Sequence, residues 1–372
     1  MKAVAIFPKA KKVRLIDIPL PRITGPHEVL VRILRVGVCG TDREITQFQY
    51  GTPPEGSEYL VLGHESLGRV VAVGKAVTKV AEGDLVVPTV RRACPGPCIS
   101  CSYHESDMCF TGNFVERGIK EAHGYMTEQI VEHENYLAKL PAELENIGVL
   151  LEPLTISEKA LRQMLLVQTR LHWECFIGAK ANENLSCRNG LVLGAGPVGI
   201  LAALVLRAEK IKTWIVSLEE ETHPKIQMIR SMGIGYFQGS RHTREGIAEE
   251  VGNVDVIIEA AGSSKLSFQF LPALGTNGIC VLTGVPSLNK GFVIDEDFLM
   301  RNMVLKNQIL LGTVNANITA FHGGIEHLQS FARDWPTQMQ KLITHHYAPE
   351  QFEEAINMTD PGRIKVVLEM AK

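Results

Sequence analysis

Four cysteines lie close together in the first third of the chain, in a segment that also contains Pro95, Gly96 and Pro97. Their spacing is Cys94-x3-Cys98-x2-Cys101-x7-Cys109. Four thiolates at such short spacing are typical ligands of a closed, tetrahedral zinc site, and the metal stabilises a loop with little hydrophobic core of its own. The spacing therefore predicts a structural zinc site, with four free thiols as the alternative.

A second set of possible metal ligands is spread over the same part of the chain. Cys39 lies between glycines after a predicted strand, and His64 and Glu65 follow Gly63 just before another. Together they offer the sulfur, nitrogen and oxygen donors that zinc takes. Glu152 lies in an apolar stretch, where an unpaired charge is costly, so a metal ion or another cation is its expected partner. The alternatives are an inert, buried Cys39 and a Glu152 that only begins a helix.

A glycine-rich motif in the second half of the chain predicts a dinucleotide site. It reads G-x-G-x-x-G between a short apolar run, residues 191–193, and an apolar helical pattern. Gly194 permits the tight turn, Gly196 lets a pyrophosphate approach the backbone, and Gly199 lets helix and strand pack closely. The first N–H groups of the helix then face the phosphates. The residues expected to bind the cofactor here are Gly194, Gly196, Pro197, Val198 and Gly199.

The next predicted strand, residues 211–218, ends in Ser217 and Leu218 and is followed by an acidic cluster that begins with Glu219. A carboxylate at this place accepts hydrogen bonds from ribose hydroxyls, and the sequence places no Arg or Lys at hand for a 2′-phosphate. We therefore expect NAD to be preferred, with NADP possible. The alternative is a solvated helix start, since acidic residues favour the first turn of a helix.

Further strands are predicted over residues 254–259, 278–283 and 308–312. The first two end at small residues, Ala261 and Gly284, which leave room for a cofactor at the carboxyl edge of a parallel sheet. The other predicted elements are strands over residues 2–7, 13–18, 28–36, 69–73 and 362–368, a helix from residue 155, and a helix over 321–332. Glu116 is a possible hydrogen-bond acceptor for a polyhydroxylated substrate, or it forms an ion pair with Arg117 or another neighbour.

Length and composition exclude several classes of protein. A chain of 372 residues predicts two domains, and a net charge of −3 argues against nucleic acid as a main partner. No apolar run reaches the roughly 18 residues of a membrane span, and the apolar N-terminal stretch is too short for a signal peptide, so we expect a cytoplasmic protein. Cysteines in that compartment favour metal or thiol chemistry over disulfides. Three have no partner spacing and are expected to be packing or surface residues: Cys175, Cys187 and Cys280.

The order of these motifs resembles that of the zinc-containing medium-chain alcohol dehydrogenases. Gly63-His64-Glu65-x2-Gly68-x5-Gly74 is similar to their signature, and Cys39-Gly40-Thr41-Asp42, the four cysteines and the glycine motif stand in the family's order. The chain departs from the pattern by one extra residue between Cys94 and Cys98. Four segments are similar to the substrate-side segments of archaeal-type glucose dehydrogenases: residues 114–119, 122–125, 152–161 and 311–315.

The resemblance implies an α/β fold of two domains with the active site in the cleft between them. A GroES-like, β-rich catalytic domain, residues 1–154 with 315–372, would accompany a Rossmann domain with a doubly wound parallel sheet, residues 155–314. The resemblance also implies ligands of a catalytic zinc ion, which are Cys39, His64, Glu65 and, directly or through water, Glu152. It implies contacts with sugar hydroxyls for three residues, which are Glu116, Glu152 and Asn315.

The implied activity belongs to carbohydrate metabolism: oxidation of the C1 hydroxyl of an aldose, D-glucose first, to the lactone, with hydride transfer to NAD(P). Thr41 would pass the released proton toward solvent. Relatives that use NADP carry arginines after the second Rossmann strand, where this chain has Leu218 and Glu219. The alternatives are a zinc polyol or amino-alcohol dehydrogenase of the sorbitol or threonine type, and a non-catalytic dinucleotide-binding sensor. We expect a homo-oligomer, a dimer or a tetramer, with neither nucleic acid nor membrane as a partner.

Overall fold

The computed structural model describes residues 1–180, 183–286 and 291–371. The strands are β1 Lys2–Phe7, β2 Lys12–Asp17, β3 Glu28–Val38, β4 Leu60–Val61, β5 Glu65–Val73, β6 Leu85–Pro88, β7 Arg91–Arg92, β8 Val115–Arg117, β9 Glu121–Ala122, β10 Gln129–His133, β11 Leu137–Leu140, β12 Asn189–Leu193, β13 Lys212–Ser217, β14 Gly235–Gln238, β15 Val254–Glu259, β16 Leu274–Leu282, β17 Ile309–Gly312, β18 Ile343–Tyr347 and β19 Lys365–Glu369. The helices are α1 Gly40–Thr46, α2 Ile99–Ser102, α3 Leu151–Gln168, α4 Pro197–Ala208, α5 Pro224–Ser231, α6 Arg244–Val251, α7 Ser264–Phe270, α8 Glu296–Leu305, α9 Ile318–Asp334, α10 Pro336–Lys341 and α11 Phe352–Asn357. In this described part, none of the helices is long and apolar enough to span a membrane.

The chain divides into two compact units, residues 1–155 with 315–372 and residues 156–314. In the first unit, β3 pairs with β5 on one side and, on the other, with β10 along its first half and β19 along its second. The sheet runs in the order β11-β6-β5-β3-β19-β18. Alternate residues of β3, Val29, Val31 and Ile33, are fully buried in the core. This pairing places the end of β3 beside the first residues of β5 and of β19.

The second unit is built on a parallel sheet with the strand order β14-β13-β12-β15-β16-β17. Counted along this unit, the order is 3-2-1-4-5-6, which is that of a Rossmann sheet and reverses beside β12. Every residue of β15 is buried, as expected for a strand covered on both faces. The predicted α/β fold, a GroES-like β-rich part with a doubly wound parallel sheet, is confirmed.

The structure differs from the prediction at two element boundaries near candidate site residues. Helix α3 begins at Leu151, four residues before the predicted start, because Pro153 fits the first turn of a helix, where no N–H is needed. Glu152 therefore lies on this first turn. Strand β5 begins at Glu65 rather than at residue 69, because Glu65 already pairs with Gly37 on β3.

A disulfide joins Cys175 to Cys187 in the segment between α3 and β12. The prediction that neither cysteine has a partner is wrong. Their separation of twelve residues closes a loop that has no periodic pattern, so its course could not be inferred from the sequence. Cys280 is a free thiol buried in β16, and its role there is packing.

Candidate active site and cofactor site

Three of the predicted zinc ligands come together at the carboxyl end of β3. Cys39 follows β3 and is the N-cap of α1, while Glu65 begins β5 directly opposite Gly37. One ligand atom each of Cys39, His64 and Glu65 lies within 4.8 Å of the other two. Gly37 makes room for this arrangement, because a Cβ there would lie 2.2 Å from Oε2 of Glu65. A thiolate, an imidazole and a carboxylate form a donor set that fits zinc.

Asp42 is a fully buried carboxylate next to this cluster. Its Oδ2 accepts a hydrogen bond of 2.9 Å from the N–H of Cys39, and its Oδ1 lies 3.6 Å from Nδ1 of His64. Within the part of the chain that the structure describes, Oδ1 and Nδ1 have no hydrogen-bond partner. A metal-binding histidine commonly turns its second ring nitrogen toward a carboxylate in this way. The surroundings of His64 therefore fit a metal ligand that binds through Nε2.

Lys365 belongs to this site although no local sequence pattern indicates it. It begins β19, where Val366 pairs with Val38 at the end of β3. Its Nζ forms an ion pair with Oε2 of Glu65, and each side chain is only 2% exposed. Since a buried carboxylate is costly without a cation, Lys365 balances the charge of Glu65. The ion pair uses one carboxylate oxygen and leaves Oε1 of Glu65 with capacity for a metal ion.

Glu152 lies close to Cys39, His64 and Glu65. Among the described residues, however, it is not part of the group whose ligand atoms all lie within 4.8 Å of one another. Its side chain is buried in the first turn of α3. Burial raises the pKa of Glu152 to about 7, against the lowering effect of His64. A carboxyl group in such a place gains from a nearby cation. Glu152 thus lies in the first turn of a helix, and its buried carboxyl group interacts with the charges of His64 and Glu65.

Thr41 lies in the first turn of α1, two residues after Cys39. Its side chain lies close to the hydroxyl of Tyr50, which sequence reasoning did not single out, and opposes the effect of burial on the pKa of that phenol. Burial of part of the ring raises the pKa of Tyr50 to about 12, so the phenol stays protonated at neutral pH. Tyr50 is also 41% exposed. The two hydroxyls therefore lie between the neighbourhood of Cys39 and solvent.

The four cysteines of the predicted structural site have their sulfur atoms mutually within 4.8 Å. Cys94 Sγ lies 3.7 Å from Cys101 Sγ, and Cys98 Sγ lies 4.0 Å from Cys109 Sγ. A zinc–sulfur distance of about 2.3 Å places tetrahedral sulfur ligands about 3.8 Å apart, so the observed spacing fits zinc. Cys94 therefore lies with the other three cysteines despite the extra residue between it and Cys98.

Glu116, on β8, is held by two residues that donate to the same carboxylate oxygen. Arg91 approaches Oε1 with Nε at 3.0 Å and Nη2 at 2.9 Å, and Asn315 Nδ2 donates to Oε1 at 2.9 Å. The Arg91 and Glu116 side chains are 7% and 12% exposed. With Oε1 saturated, Oε2 is the oxygen placed to accept from a ligand. Asn315 and Glu116 were both expected to contact a sugar, whereas Arg91 was missed because it lies 25 residues before Glu116.

The ion pair of Glu116 is formed with Arg91 and not with the adjacent Arg117. Arg117 pairs instead with Glu132 at 2.8 Å, and Glu132 also binds Arg92. Burial would raise the pKa of Glu132, but the two guanidinium groups lower it to about 2. Because β7, β8 and β10 carry these charges, the network fixes the strand that presents Glu116.

The glycine motif of the second unit stands between β12 and α4, and its three glycines differ in their surroundings. Gly194 has a φ of 110°, and a Cβ there would lie 3.1 Å from Ala261. A Cβ on Gly199 would lie 2.0 Å from the carbonyl oxygen of Gly194. Gly196, the N-cap of α4, has no atom within 4 Å of its Cβ position. This open side of Gly196, followed by Pro197 and the free N–H groups of the helix start, suits a pyrophosphate.

The ends of β15 and β16 are joined through Glu259, a buried residue that sequence reasoning did not assign to the site. Its Oε1 accepts from the N–H groups of Ala261 and Gly262 at 2.8 Å, and its Oε2 accepts from that of Gly284 at 3.1 Å. The small residues expected at the carboxyl edge of the sheet are therefore held together by one carboxylate.

Glu219 follows β13, as expected of an acidic residue that binds ribose, but its carboxylate already has a basic partner. Lys225, on α5, forms an ion pair with its Oε1, and the hydroxyl of Ser217 donates to its Oε2. The expectation that no basic residue is at hand is wrong, because Lys225, in the first turn of α5, reaches the carboxylate that follows β13. The sequence separation of six residues concealed this contact.

Comparison with known proteins gives a consistent result. Residues 25–142 match the alcohol dehydrogenase GroES-like domain, and residues 145–370 match the glucose dehydrogenase C-terminus. A glucose 1-dehydrogenase of Methanocella arvoryzae is 39% identical over 371 residues, which is 100% of this chain and 99% of the relative. One of Thermoproteus tenax is 38% identical over 371 residues with the same coverage.

Two solved structures illustrate the structural similarity. Glucose dehydrogenase of Haloferax mediterranei, in complex with NADP, Zn and gluconolactone, has a TM-score of 0.87 and 32% identity, with 100% of both chains covered. Galactitol-1-phosphate dehydrogenase of Escherichia coli has a TM-score of 0.78 at 22% identity over 99% of this chain and 100% of the other, and it shows the shared fold alone.

Proposed function

The chain belongs to the glucose dehydrogenase family of zinc-containing medium-chain dehydrogenases, and from this premise we propose that it oxidises the C1 hydroxyl of an aldose, D-glucose first, to the lactone with NAD(P). The observation that carries the proposal is the geometry around Glu116. Arg91 and Asn315 saturate one carboxylate oxygen and leave the other to accept from a hydroxyl group. The relatives named glucose 1-dehydrogenase and the neighbour with bound gluconolactone support the same substrate.

We assign the catalytic zinc to Cys39, His64 and Glu65, with Glu152 as a further ligand, directly or through water. The structural zinc is assigned to the four cysteines, Cys94, Cys98, Cys101 and Cys109. When bound, the catalytic zinc supplies a Lewis acid that lowers the pKa of the C1 hydroxyl, and the nicotinamide ring accepts the hydride. Both donor sets fit their metal by the chemistry of their atoms and by the distances between them.

The remaining steps fall to the protein's own side chains. Glu116 Oε2 accepts a hydrogen bond from a sugar hydroxyl, and Asn315 holds the carboxylate in place while adding polar contact. The Thr41 hydroxyl receives the proton released from the C1 hydroxyl, and the nearby Tyr50 hydroxyl passes it to solvent. Asp42 fixes Cys39 through its backbone N–H, and Lys365 fixes Glu65.

The cofactor site is assigned to the second unit, on the residues expected from the sequence. The pyrophosphate takes the Gly196 side of the motif, and the adenosine ribose takes Glu219 beside Ser217. We propose NAD as the preferred cofactor because Glu219 is placed to accept from two ribose hydroxyls, with NADP accepted as well. A cytoplasmic location accompanies this proposal, since the reaction consumes a nicotinamide cofactor.

The test is a matrix of initial rates on the zinc-loaded protein, with NAD and NADP as cofactors. The substrates are glucose, galactose, xylose, sorbitol and threonine. The proposal predicts turnover of at least one aldose well above that of sorbitol and threonine. Turnover of sorbitol or threonine alone would identify a polyol or amino-alcohol dehydrogenase instead. Cofactor binding without turnover of any alcohol would indicate a sensor.

A homo-oligomer is also proposed, on the apolar surface of the second unit. β17 is the last strand in the described sheet order, and Leu310 on it is 36% exposed. Just before it, α8 exposes Met300, Val304 and Leu305 by 66%, 69% and 66%. Such a patch beside a strand edge favours pairing with a second copy. Light scattering should give a dimer or tetramer and a smaller species for Val304→Lys; a monomeric wild type would contradict the proposal.

A further inference from the structure

Acidic and basic side chains are paired around the loop that follows β13. Within residues 217–241, all of which the structure describes, each acidic residue of the cluster has a basic partner. The pairs are Glu219 with Lys225, Glu220 with Arg241 and Glu221 with Arg230. The formal charge of these six side chains is therefore balanced. The acidic cluster that the sequence suggested is electrically neutral in the structure.

The Lys225 pair differs from the other two in its burial. The Lys225 side chain is 7% exposed and that of Glu219 24%, whereas the Glu220 and Arg241 side chains are each 63% exposed. Exposed pairs of long side chains hold their geometry weakly and are screened by salt. Only the Lys225 pair is therefore fixed enough to set the charge at the place where the adenosine ribose binds.

Several contacts hold the Glu219 carboxylate beside Lys225. Ser217 donates to its second oxygen, and the Tyr236 hydroxyl donates to the Glu219 carbonyl. Lys225 itself lies in the first turn of α5, where the peptide dipoles disfavour a cation, so its ammonium depends on this carboxylate. These contacts fix the position of the ion pair at the end of a Rossmann strand.

We propose, on the basis of the cofactor site assigned above, that Lys225 is the residue that lets this chain accept NADP as well as NAD. A lone carboxylate at the end of β13 would repel a 2′-phosphate, which carries two negative charges and offers no donor. Lys225 cancels the charge of Glu219, and its ammonium has three N–H donors, of which one serves Glu219. The remaining donors can bind the phosphate. With NAD, Glu219 accepts from the ribose hydroxyls while it keeps its partner.

The proposal predicts that the two partners of one ion pair have opposite effects on cofactor choice. Lys225→Met leaves Glu219 uncompensated, so the ratio of the NADPH Kd to the NADH Kd should rise about tenfold or more. Glu219→Gln releases Lys225, so the same ratio should fall about tenfold. Arg230→Met is the matched control, because it breaks an exposed pair of the same loop, and it should change the ratio less than about twofold.

The experiment titrates the full-length, zinc-loaded protein with NADH and NADPH and measures both Kd values from nicotinamide fluorescence. If Lys225→Met and Glu219→Gln each weaken the binding of NADH and of NADPH equally, the ion pair has only a structural role and the proposal is overturned. If Lys225→Met does not fold, Glu219→Gln still decides, since an unchanged or higher ratio there contradicts it. If the wild type binds neither cofactor, the assigned function itself fails, which is a different result.

Discussion

Replacing Glu116 with Gln tests the substrate site through the side chain whose surroundings are best defined. Three N–H groups of Arg91 and Asn315 face Oε1 of Glu116. In the variant, the amide oxygen has to stay on that side, because these groups only donate. The amide NH2 then replaces Oε2, so the position that accepts from a sugar hydroxyl in the wild type becomes a donor. The variant loses the charged acceptor at this position and keeps nearly the same shape.

The size of the effect follows from the charge of the lost acceptor. A hydrogen bond to a charged group contributes about 1.5–3 kcal/mol, which corresponds to about a 10- to 150-fold loss of kcat/KM. If the hydroxyl is remote from C1, the contact is equal in ground state and transition state. The loss should then appear in KM for glucose, with kcat little changed.

The assay is steady-state kinetics on glucose and on its monodeoxy analogues at saturating cofactor. One analogue, the one that lacks the contacted hydroxyl, should lose activity in the wild type and little more in Glu116→Gln. Glu121→Gln on β9 is the control, because it makes the same chemical change at an exposed position and should leave KM unaltered. An unchanged KM for every aldose in Glu116→Gln would refute the assignment and leave Glu116 as a structural partner of Arg91.

Three further predictions concern the metal sites and the buried charge network. Cys39→Ser should reduce turnover by more than about a hundredfold and leave NADH affinity unchanged, because the cysteine is a ligand of the open metal site; near-normal kcat would remove it from the site. Cys101→Ser should release one zinc ion per chain and lower the thermal midpoint more than the activity at low temperature, as metal analysis and melting curves would show; an unchanged zinc content would contradict it. Glu132→Gln should cost about 3–5 kcal/mol of unfolding free energy in denaturant titrations, because Arg92 and Arg117 lose their buried partner. The pKa of Glu132 is lowered from 4.5 to about 2, so its stabilising effect is complete above pH 4.5 and is lost as the pH falls toward 2. The difference in unfolding free energy between wild type and Glu132→Gln should therefore shrink over that pH range. A difference that stays constant with pH would contradict this prediction.

Local patterns in the sequence predicted much of the fold because strand and helix signals are short-range. The strand Lys2–Phe7 and the strand Val254–Glu259 have the predicted bounds, and the glycine motif lies between β12 and α4 as expected. The parallel sheet could also be predicted from the sequence, since alternating strands and helices allow few other arrangements. Where prediction stopped short, the cause was a pairing between distant residues.

The charged partners of the candidate site are the clearest examples. Lys365 meets Glu65 across 300 residues because β19 and β5 flank the end of β3, and only the sheet order reveals that neighbourhood. Arg91 reaches Glu116 through the pairing of β7 with β8. Lys225 was hidden for another reason, since a lysine six residues after Glu219 could point anywhere until the course of α5 is known.

The central claim is that this chain transfers a hydride from C1 of glucose to a nicotinamide cofactor. The most direct measurement uses glucose carrying deuterium at C1, with the zinc-loaded protein and NAD, followed by mass and NMR analysis of both products. We expect gluconolactone, equimolar reduced cofactor with the deuterium on C4 of the nicotinamide ring, and a slower rate than with unlabelled glucose. Reduced cofactor without deuterium, or no reduced cofactor with either NAD or NADP, would contradict it.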